Sequence, residues 1–304
     1  MKIAVLGSFN MTLVAEVERL PQPGETVLGR RFSRVPGGRG LIQAVAAARL
    51  GAEVSLFGKV GNDELGRELL RVARENGVDA SLVEEAPTHT GTFVLLVGPD
   101  KEALSAYTPG ANAFVDEAYI TKILPHLSVA DALLLQLEIP LSSLAFALRR
   151  LPKERPLVVL NPAPPQDIMS LPLARVNVLV PNVQELKTLA DWSGSIEELE
   201  RVGKEFLDRG VKALVVTAGE DGAYLVEPEG MTHFPAVPVA AVDPAGAGEV
   251  FCAGLAVKLA QERGLYEAIG FAAAAAALST QKPGVLPSLP TLAEVQALLT
   301  RLSD

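Results

Sequence analysis

Residues 243–249 read Asp243-Pro244-Ala245-Gly246-Ala247-Gly248-Glu249 and run into the small-residue segment Phe251-Cys252-Ala253-Gly254. This pattern is typical of a glycine-rich turn that opens a helix, with a carboxylate on the first helical turn. The glycines allow successive backbone N–H groups to point at one spot, and the start of the helix adds partial positive charge there. This segment, residues 243–249, is therefore predicted to hold an anion such as a transferring phosphate, and we call it the anion loop. Glu249 is a candidate general base.

The composition of the 304-residue chain fits one large α/β domain that can bury a substantial core. Hydrophobic residues make up 49% of the sequence, and the mean hydropathy of +0.28 is that of a folded globular protein. Acidic residues outnumber basic ones by 36 to 27, for a net charge of −9. Lys and Arg do not cluster beyond pairs such as Arg149-Arg150, so no nucleic-acid surface is predicted.

Cysteine content and hydropathy argue against a disulfide-bonded, a membrane-spanning or a secreted protein. Cys252 is the only cysteine, which excludes an internal disulfide or a thiolate metal cluster and favours inert packing. No apolar run reaches transmembrane length, and the apolar part of residues 1–7 is too short for the core of a signal peptide. We expect a cytoplasmic protein without a membrane partner.

Apolar strands alternate with helices along most of the chain. The predicted strands are residues 2–7, 54–58, 132–137, 157–160, 176–180 and 213–217, and the predicted helices are residues 41–50, 63–76, 141–150, 184–191 and 196–209. This alternation predicts a single α/β domain over residues 1–304 with a three-layer, doubly wound, mostly parallel sheet. Two hairpin-like segments, at about residues 10–36 and 91–109, do not fit the alternation. They predict a small β-sheet lid over one edge of the domain.

Polar residues follow four successive predicted strands at their carboxyl ends. Glu138, Asn161, Asn182 and Thr217 each stand at such a position. In open α/β sheets, ligands bind in the crevice beyond the carboxyl ends of the strands. We therefore expect these side chains to converge on one cleft.

Two shorter motifs leave alternatives open. Gly37-Gly38-Arg39-Gly40 is either an ordinary loop before a helix or a close backbone approach to a ligand, and it lacks the Gly-Lys-[Ser/Thr] ending of a phosphate P-loop. Asn182-Val183-Gln184-Glu185 is either an N-cap with an acidic first turn or a place where a carboxylate holds Mg²⁺ through water.

The order of these motifs along the chain resembles that of the ribokinase-like, PfkB-type carbohydrate kinases, and within them the ribokinases most closely. The resemblance covers essentially the whole chain. It is carried by Gly7-Ser8-Phe9-Asn10, residues 20–27, residues 37–51, Gly110-Ala111-Asn112, Gln136-Leu137-Glu138, Asn161-Pro162-Ala163-Pro164, residues 181–185 and residues 243–248.

The resemblance implies ATP-dependent transfer of the γ-phosphoryl group to a primary sugar hydroxyl, with magnesium on the phosphates, a potassium-like cation near the anion loop and a homodimer formed through the lid. It implies an acceptor pocket that contains Asn10, Thr12, Gly37, Gly38, Arg39, Ile42 and Glu138. It implies nucleotide contacts at Asn182, Thr217, Gly219 and Gly222, a water-mediated magnesium contact at Glu185, and a monovalent cation at Asp243 and Ala245. Backbone N–H groups at Gly246, Ala247 and Gly248 would stabilise the transferring phosphoryl group beside Glu249.

The chain departs from the family pattern at three chemical positions. Glu249 stands where the family has its catalytic Asp, Thr12 replaces a sugar-binding Asp, and Ile42 replaces a sugar-binding Asn; Arg39 also replaces the usual Lys. An apolar Ile42 cannot pair a sugar hydroxyl, and an unpaired buried hydroxyl costs about 1–3 kcal/mol. Plain ribose is therefore expected to bind poorly.

Two functions remain open from the sequence. One is an ATP-dependent kinase for a sugar-like acceptor, which the anion loop, Glu138 and the Asn182/Glu185 pair favour. The other is a catalytically impaired relative that binds a nucleotide or another small molecule, which the replacements at positions 12, 42 and 249 favour.

Overall fold

The computed structural model describes residues 1–100 and 102–303. The strands are β1 (Lys2–Leu6), β2 (Asn10–Val17), β3 (Gly29–Gly37), β4 (Glu53–Phe57), β5 (Lys59–Gly61), β6 (Val78–Asp79), β7 (Glu84–Ala86), β8 (Gly91–Val97), β9 (Ala103–Thr108), β10 (Ala132–Leu135), β11 (Leu157–Leu160), β12 (Val178–Leu179), β13 (Ala213–Thr217), β14 (Ala223–Glu227) and β15 (Gly230–Phe234). The α-helices are α1 (Arg39–Arg49), α2 (Glu64–Glu75), α3 (Glu117–Ser128), α4 (Leu141–Arg150), α5 (Val183–Leu189), α6 (Ile196–Asp208), α7 (Ala247–Leu259), α8 (Leu265–Ser279), α9 (Val285–Ser288) and α10 (Leu292–Ser303).

A nine-stranded sheet forms the centre of the molecule, in the order β15-β14-β13-β12-β11-β10-β1-β4-β6. All neighbours from β13 to β6 are parallel, which confirms the predicted mostly parallel sheet. At one edge the alternation of strands and helices ends, because β14 pairs with β13 and β15 pairs with β14 in antiparallel fashion. The chain reverses there directly through Gly222, which has φ +89° and lies so close to Phe234 that a Cβ would be 2.1 Å from its carbonyl oxygen.

Helices cover both faces of this sheet, as a doubly wound fold requires. Val5 and Leu134 point to the core shared with α1, α7 and α8, whereas Leu6 and Leu133 point to the core shared with α3, α4 and α6. The strands are buried on both faces, so their sequences are continuous apolar runs. No helix among the described residues combines the length and the apolar character that a membrane crossing needs.

A separate four-stranded sheet, in the order β3-β2-β8-β9, forms the lid. The predicted hairpin around Gly98-Pro99-Asp100 is confirmed, with Val97 opposite Ala103. In this sheet Asn10, Thr12 and Phe93 lie on one face. Alternate residues of a strand point to the same side, and Phe93 of β8 is paired with Thr12 of β2. Leu13, Val94 and Leu104 lie on the other face.

Some predicted boundaries shift for local reasons. Helix α1 begins at Arg39, two residues before the predicted start, because Gly38 with φ +97° serves as its N-cap. The predicted strand at residues 176–180 is paired only at Val178–Leu179.

Candidate active site

The expected cleft lies at the carboxyl ends of the central strands, where α1 and α7 begin. A cavity of about 280 Å³ is lined by Arg39, Asn161, Val180, Asn182, Glu185, Thr217, Pro244, Gly246, Gly248 and Glu249. Residues from five distant segments of the sequence therefore face one space. A second cavity of about 390 Å³ is lined by Glu138 and has mostly apolar walls, among them Tyr107, Leu137 and Pro164.

Glu138 is the centre of a buried polar network between the two cavities. Its Oε2 accepts hydrogen bonds from the Ser8 hydroxyl, from Asn10 Nδ2 at 3.2 Å and from the Arg39 backbone N–H at 3.0 Å. Burial raises the pKa of Glu138, and the hydrogen bonds from Ser8 and Arg39 offset only part of that effect. Because three donors occupy Oε2, Oε1 is the oxygen that remains for a bound hydroxyl group.

Asn112 fixes the loop that carries Asn10. Its side-chain amide donates to Asn10 Oδ1 at 2.8 Å and to the Phe9 carbonyl at 3.1 Å, while its Oδ1 accepts from the Phe9 N–H at 3.0 Å. Asn112 belongs to one of the segments that carry the family resemblance, and no role was predicted for it. Asn112 therefore positions Asn10, which in turn bonds Glu138.

Tyr107 is a site residue that the sequence did not reveal. Its hydroxyl is buried and has no hydrogen-bond partner among the described residues. Burial raises the pKa of Tyr107 to about 12, and the charge of Glu138 acts in the same direction. Its ring stacks on Phe93 with the ring centroids 4.5 Å apart. An aromatic wall thus stands beside Glu138, and nothing in the local sequence pattern of β9 distinguishes Tyr107 from an ordinary strand residue.

Arg39 lies between two carboxylates. Its Nη1 donates to Glu249 Oε1, and its Nε is 3.9 Å from Glu138 Oε1. Burial acts to lower the pKa of Arg39, but the carboxylates of Glu249, Glu138 and Glu185 outweigh it, so the pKa is raised. Cys252, one turn beyond Glu249, is fully buried, and burial raises the pKa of its thiol. That result agrees with the inert packing role predicted for Cys252.

Thr12, Ile42, Gly37 and Gly38 are the other residues predicted for the acceptor pocket. Thr12 is half-buried on the Asn10 face of the lid, directly opposite Phe93 in the neighbouring strand. Ile42 packs partly into the core, and its Cδ1 is 3.9 Å from where a Cβ on Gly37 would lie. A Cβ on Gly38 would be 2.7 Å from Asn10 N and from Ser8 O. The close approach at Gly38 is therefore one of backbone to backbone, between the start of α1 and the loop that leads from β1 into β2.

The anion loop retains free donors at the start of α7. The N–H of Ala245 donates to Asp243 Oδ1 at 3.0 Å, and that of Ala247 donates to the Pro244 carbonyl at 3.2 Å. Among the described residues, the N–H groups of Gly246, Gly248 and Glu249 have no partner. A Cβ on Gly248 would meet nothing within 4 Å, so this backbone faces open space. The free donors and the positive end of α7 suit an anion.

Asp243 and Ala245, expected near a monovalent cation, form the base of the same loop. The second carboxylate oxygen of Asp243 accepts the Gly284 N–H at 2.9 Å. Asp243 therefore ties the loop to the segment before α9, and both of its oxygens already accept backbone hydrogen bonds. The described geometry assigns Asp243 a loop-fixing role, and a cation there would have to be held mainly by other oxygens.

Asn182 and Glu185 form a reciprocal capping box at the start of α5. Asn182 Oδ1 accepts the Glu185 N–H at 2.8 Å, and Glu185 Oε2 accepts the Asn182 N–H at 2.9 Å. Burial raises the pKa of Glu185, and the hydrogen bond from the Asn182 N–H and the charge of Arg39 offset only part of that effect. The buried Asn161 Oδ1 in the same cavity has no partner. A buried carboxylate and an unpaired amide oxygen that face one cavity fit a hydrated Mg²⁺, which keeps several of its waters when bound.

Thr217 lines the same cavity and bridges to Asn182, whereas two predicted nucleotide residues lie outside its walls. Gly219 is exposed with open space around it, and Gly222 sits in the turn into β14.

Comparison with known proteins agrees with this architecture. Residues 1–292 match the pfkB family carbohydrate kinase model. The ribokinase of Bacillus subtilis is 35% identical over 300 residues, covering 98% of this chain and 99% of that protein. The ribokinase of Haemophilus influenzae is 32% identical over 299 residues, covering 98% of both. The structure of Arabidopsis thaliana ribokinase complexed with ribose and ATP has a TM-score of 0.92 at 30% identity, covering 98% of both chains. The predicted fold is thereby confirmed.

Proposed function

The chain belongs to the pfkB family of carbohydrate kinases, and we propose that it transfers the γ-phosphoryl group of ATP to a primary hydroxyl of a sugar-like acceptor. It is a phosphotransferase of the ribokinase type. One observation on the residues of this chain supports the proposal most strongly. The Glu249 carboxylate and the free N–H groups at the start of α7 face the same cavity, next to Glu138.

Each part of the site has a chemical task in this reaction. Glu138 and Asn10 orient the acceptor, and Glu249 accepts the proton of the attacking hydroxyl. The free N–H groups of Gly246 and Gly248 stabilise the charge that develops on the transferring phosphoryl group, which is the dominant effect in such catalysis. Glu185 and Asn161 would hold hydrated Mg²⁺, which would neutralise phosphate charge.

The nucleotide would lie along the edge of the sheet beyond β12 and β13. Asn182 and Thr217 line the cavity at this end, and the open turn that contains Gly219 and Gly222 continues from it. We place the ATP phosphates beside Asn182 and Thr217 and the remainder of the nucleotide over this turn. A potassium-like cation beside the anion loop would add positive charge near the same phosphates.

The acceptor pocket favours a molecule with fewer hydroxyl contacts than a free pentose needs. Thr12 and Ile42 offer no charge, and the adjoining wall is apolar and aromatic at Phe93 and Tyr107. A hydroxyl buried against Ile42 would lack a partner, at a cost of about 1–3 kcal/mol. We therefore infer that the preferred acceptor is sugar-like, with an apolar side toward the lid, and is not plain ribose.

A phosphoryl-transfer screen tests the proposed function. The purified protein is incubated with MgATP and single pentoses, hexoses, deoxy sugars and nucleosides, and acceptor-dependent ADP release is measured. Turnover with at least one acceptor, faster than with ribose, is expected. If ATP binds and no acceptor raises ADP release above background, the kinase proposal fails and the alternative of a small-molecule-binding protein gains.

The outer face of the lid supports the further proposal of a homodimer formed through this sheet. Phe32, Val94 and Leu104 lie on the face opposite Asn10, and each is between 45% and 65% exposed. Half-buried Leu96 joins Phe32 and Leu104 in one row across the sheet. A contiguous apolar face of this kind is typical of an association surface, and a second lid offers a matching one.

A further inference from the structure

Arg39 contacts the acceptor-side carboxylate and the base-side carboxylate at the same time. Its Nη1 bonds Glu249, its Nε is near Glu138 Oε1, and its backbone N–H donates to Glu138 Oε2 at 3.0 Å. The three side chains are poorly accessible, with 30% of Arg39, 5% of Glu138 and 11% of Glu249 exposed. The ion pairs are therefore little screened by solvent, unlike the surface pairs of this protein.

Only a guanidinium group suits this arrangement. Its separate N–H donors lie in a rigid plane, so Arg39 can hold one carboxylate through Nη1 while Nε faces the other. A lysine has one ammonium group at the end of a flexible chain and would favour one partner. Glu249 has three rotatable side-chain bonds, and Arg39 is the only side chain that bonds its carboxylate among the described residues. Without that bond the carboxylate would sample several rotamers.

We propose that Arg39 is the positioning residue for Glu249: its guanidinium holds the long carboxylate toward Glu138, so that base and acceptor meet in one fixed geometry. This inference rests on the proposed kinase function. Arg39 begins α1, and its backbone also fixes Glu138, so one residue sets the position of both carboxylates. A displacement of a reacting group by about 1 Å can reduce the rate on the order of 10²-fold.

The kinetic test compares Arg39→Met and Arg39→Lys with a matched control. Arg34 also contacts two carboxylates, Glu64 at 3.2 Å and Glu68 at 3.3 Å, but on the protein surface. With the best acceptor from the screen, we expect Arg39→Met to lower kcat by about 10- to 100-fold with little change in the KM for ATP. Arg39→Lys should recover part of the loss, and Arg34→Met should leave kcat unchanged.

A double-mutant cycle separates positioning from a general structural role. If Arg39 acts through Glu249, then Arg39→Met should lower kcat no further in a Glu249→Gln background. An equal loss of kcat in both backgrounds would overturn the proposal. So would an Arg39→Met variant that keeps the wild-type kcat.

A structural measurement decides the proposal even if the acceptor screen finds no turnover. Crystal structures of the wild type, Arg39→Met and Arg34→Met would show the rotamer of Glu249 directly. We expect Glu249 to leave its wild-type position only in Arg39→Met, with the helix α7 backbone unchanged. An undisturbed Glu249 carboxylate in Arg39→Met would refute the positioning role, whereas a failed screen alone would refute only the kinase function.

Discussion

Glu138 is the buried carboxylate that organises the proposed acceptor pocket. Ser8, Asn10 and the backbone of Arg39 all donate to one of its oxygens, which leaves the other directed at the space beside Arg39. Charge-assisted hydrogen bonds of this kind are stronger than neutral ones and fix the orientation of the group. The residue is therefore expected to act on acceptor binding more than on ATP binding.

The variant Glu138→Gln should raise the KM for the acceptor by about tenfold, because it removes the charge that strengthens hydrogen bonds to the acceptor hydroxyl. The KM for ATP should stay within about twofold of the wild-type value. Steady-state kinetics with each substrate varied in turn measure both constants. Glu229→Gln, in the exposed turn between β14 and β15, is the control. Equal rises in both KM values would argue against an acceptor-side role.

Acidification should weaken acceptor binding through the same group. Because burial raises the pKa of Glu138, its protonated fraction grows at a higher pH than that of an exposed glutamate. The protonated form lacks the charge that favours the acceptor, so the acceptor KM should rise as the pH falls. The slope of this rise should be smaller in Glu138→Gln. A wild type and a variant with identical pH dependence of KM would contradict this assignment.

Glu185 should set the Mg²⁺ requirement. Glu185→Gln can keep the capping box, since glutamine also accepts the N-cap N–H, but it loses the charge that a hydrated cation needs. The Mg²⁺ concentration for half-maximal rate should rise by about tenfold, while the unfolding temperature stays near that of the wild type. Glu197→Gln, in the first turn of α6, is the matched control. An unchanged Mg²⁺ requirement would remove Glu185 from the metal site.

At the residue scale, the sequence identified the positions that carry a charge or a glycine in a recognisable motif. Arg39, Glu138 and Glu249 do lie together. Their mutual contacts were not predictable, because an ion pair between residues 39 and 249 depends on side-chain directions in two distant helices. Tyr107 was missed for a similar reason: an aromatic residue in a strand has no feature that separates a site wall from a packing surface.

Among the secondary-structure elements, helix α1 requires a glycine at its start. Gly38 combines a left-handed φ of +97° with backbone atoms 2.7 Å from where a Cβ would lie. Gly77, after α2, has a similar φ of +76° but open space around it. A substitution at Gly77 therefore introduces backbone strain alone, whereas a substitution at Gly38 adds a steric clash.

Gly77→Ala should lower the free energy of unfolding by about 1–2 kcal/mol, the cost of a left-handed non-glycine residue. Gly38→Ala should lose a further ~1–3 kcal/mol, because the β1–β2 loop and the start of α1 must move apart. Urea unfolding followed by circular dichroism measures both values. Equal losses in the two variants would show that the contact at Gly38 can relax freely.

Helices and strands with a clear apolar pattern were predicted well, whereas the antiparallel strands at the edge of the central sheet were not. Helix α4 and strands β11 and β13 begin and end where the sequence pattern indicates. Strands β14 and β15 were missed because their pairing is set by the tight reversal at Gly222 and not by a crossover helix. The paired part of β12 is shorter than its apolar run, because apolar burial extends beyond the residues that pair.

At the scale of the whole molecule, the lid links the acceptor site to the proposed dimer. One face of its sheet carries Asn10 and Thr12, and the opposite face exposes Phe32, Val94 and Leu104. The order of motifs along the sequence predicted this second sheet, since its segments interrupt the strand–helix alternation. A partner that covers the outer face would restrain the sheet that covers the acceptor.

The variant Leu104→Glu should convert a dimer to a monomer, because it places a charge in the apolar face that would be buried between two lids. Light scattering after size-exclusion chromatography measures the molar mass. Val129→Glu, at a position that is 65% exposed and follows α3, is the control and should leave the mass unchanged. A wild type that is monomeric at all concentrations would refute the lid-mediated dimer.

The proposed activity of this site is phosphoryl transfer with Glu249 as the base. Its most direct test is ³¹P nuclear magnetic resonance of MgATP and the best acceptor, with the wild type and with Glu249→Gln, after ATP binding by both has been verified. We predict a growing phosphomonoester signal with equal formation of ADP in the wild type, and a rate lower by on the order of 10²-fold in Glu249→Gln. The absence of a phosphomonoester with the wild type would contradict the kinase activity, and equal rates for both proteins would contradict the role of Glu249 as the base.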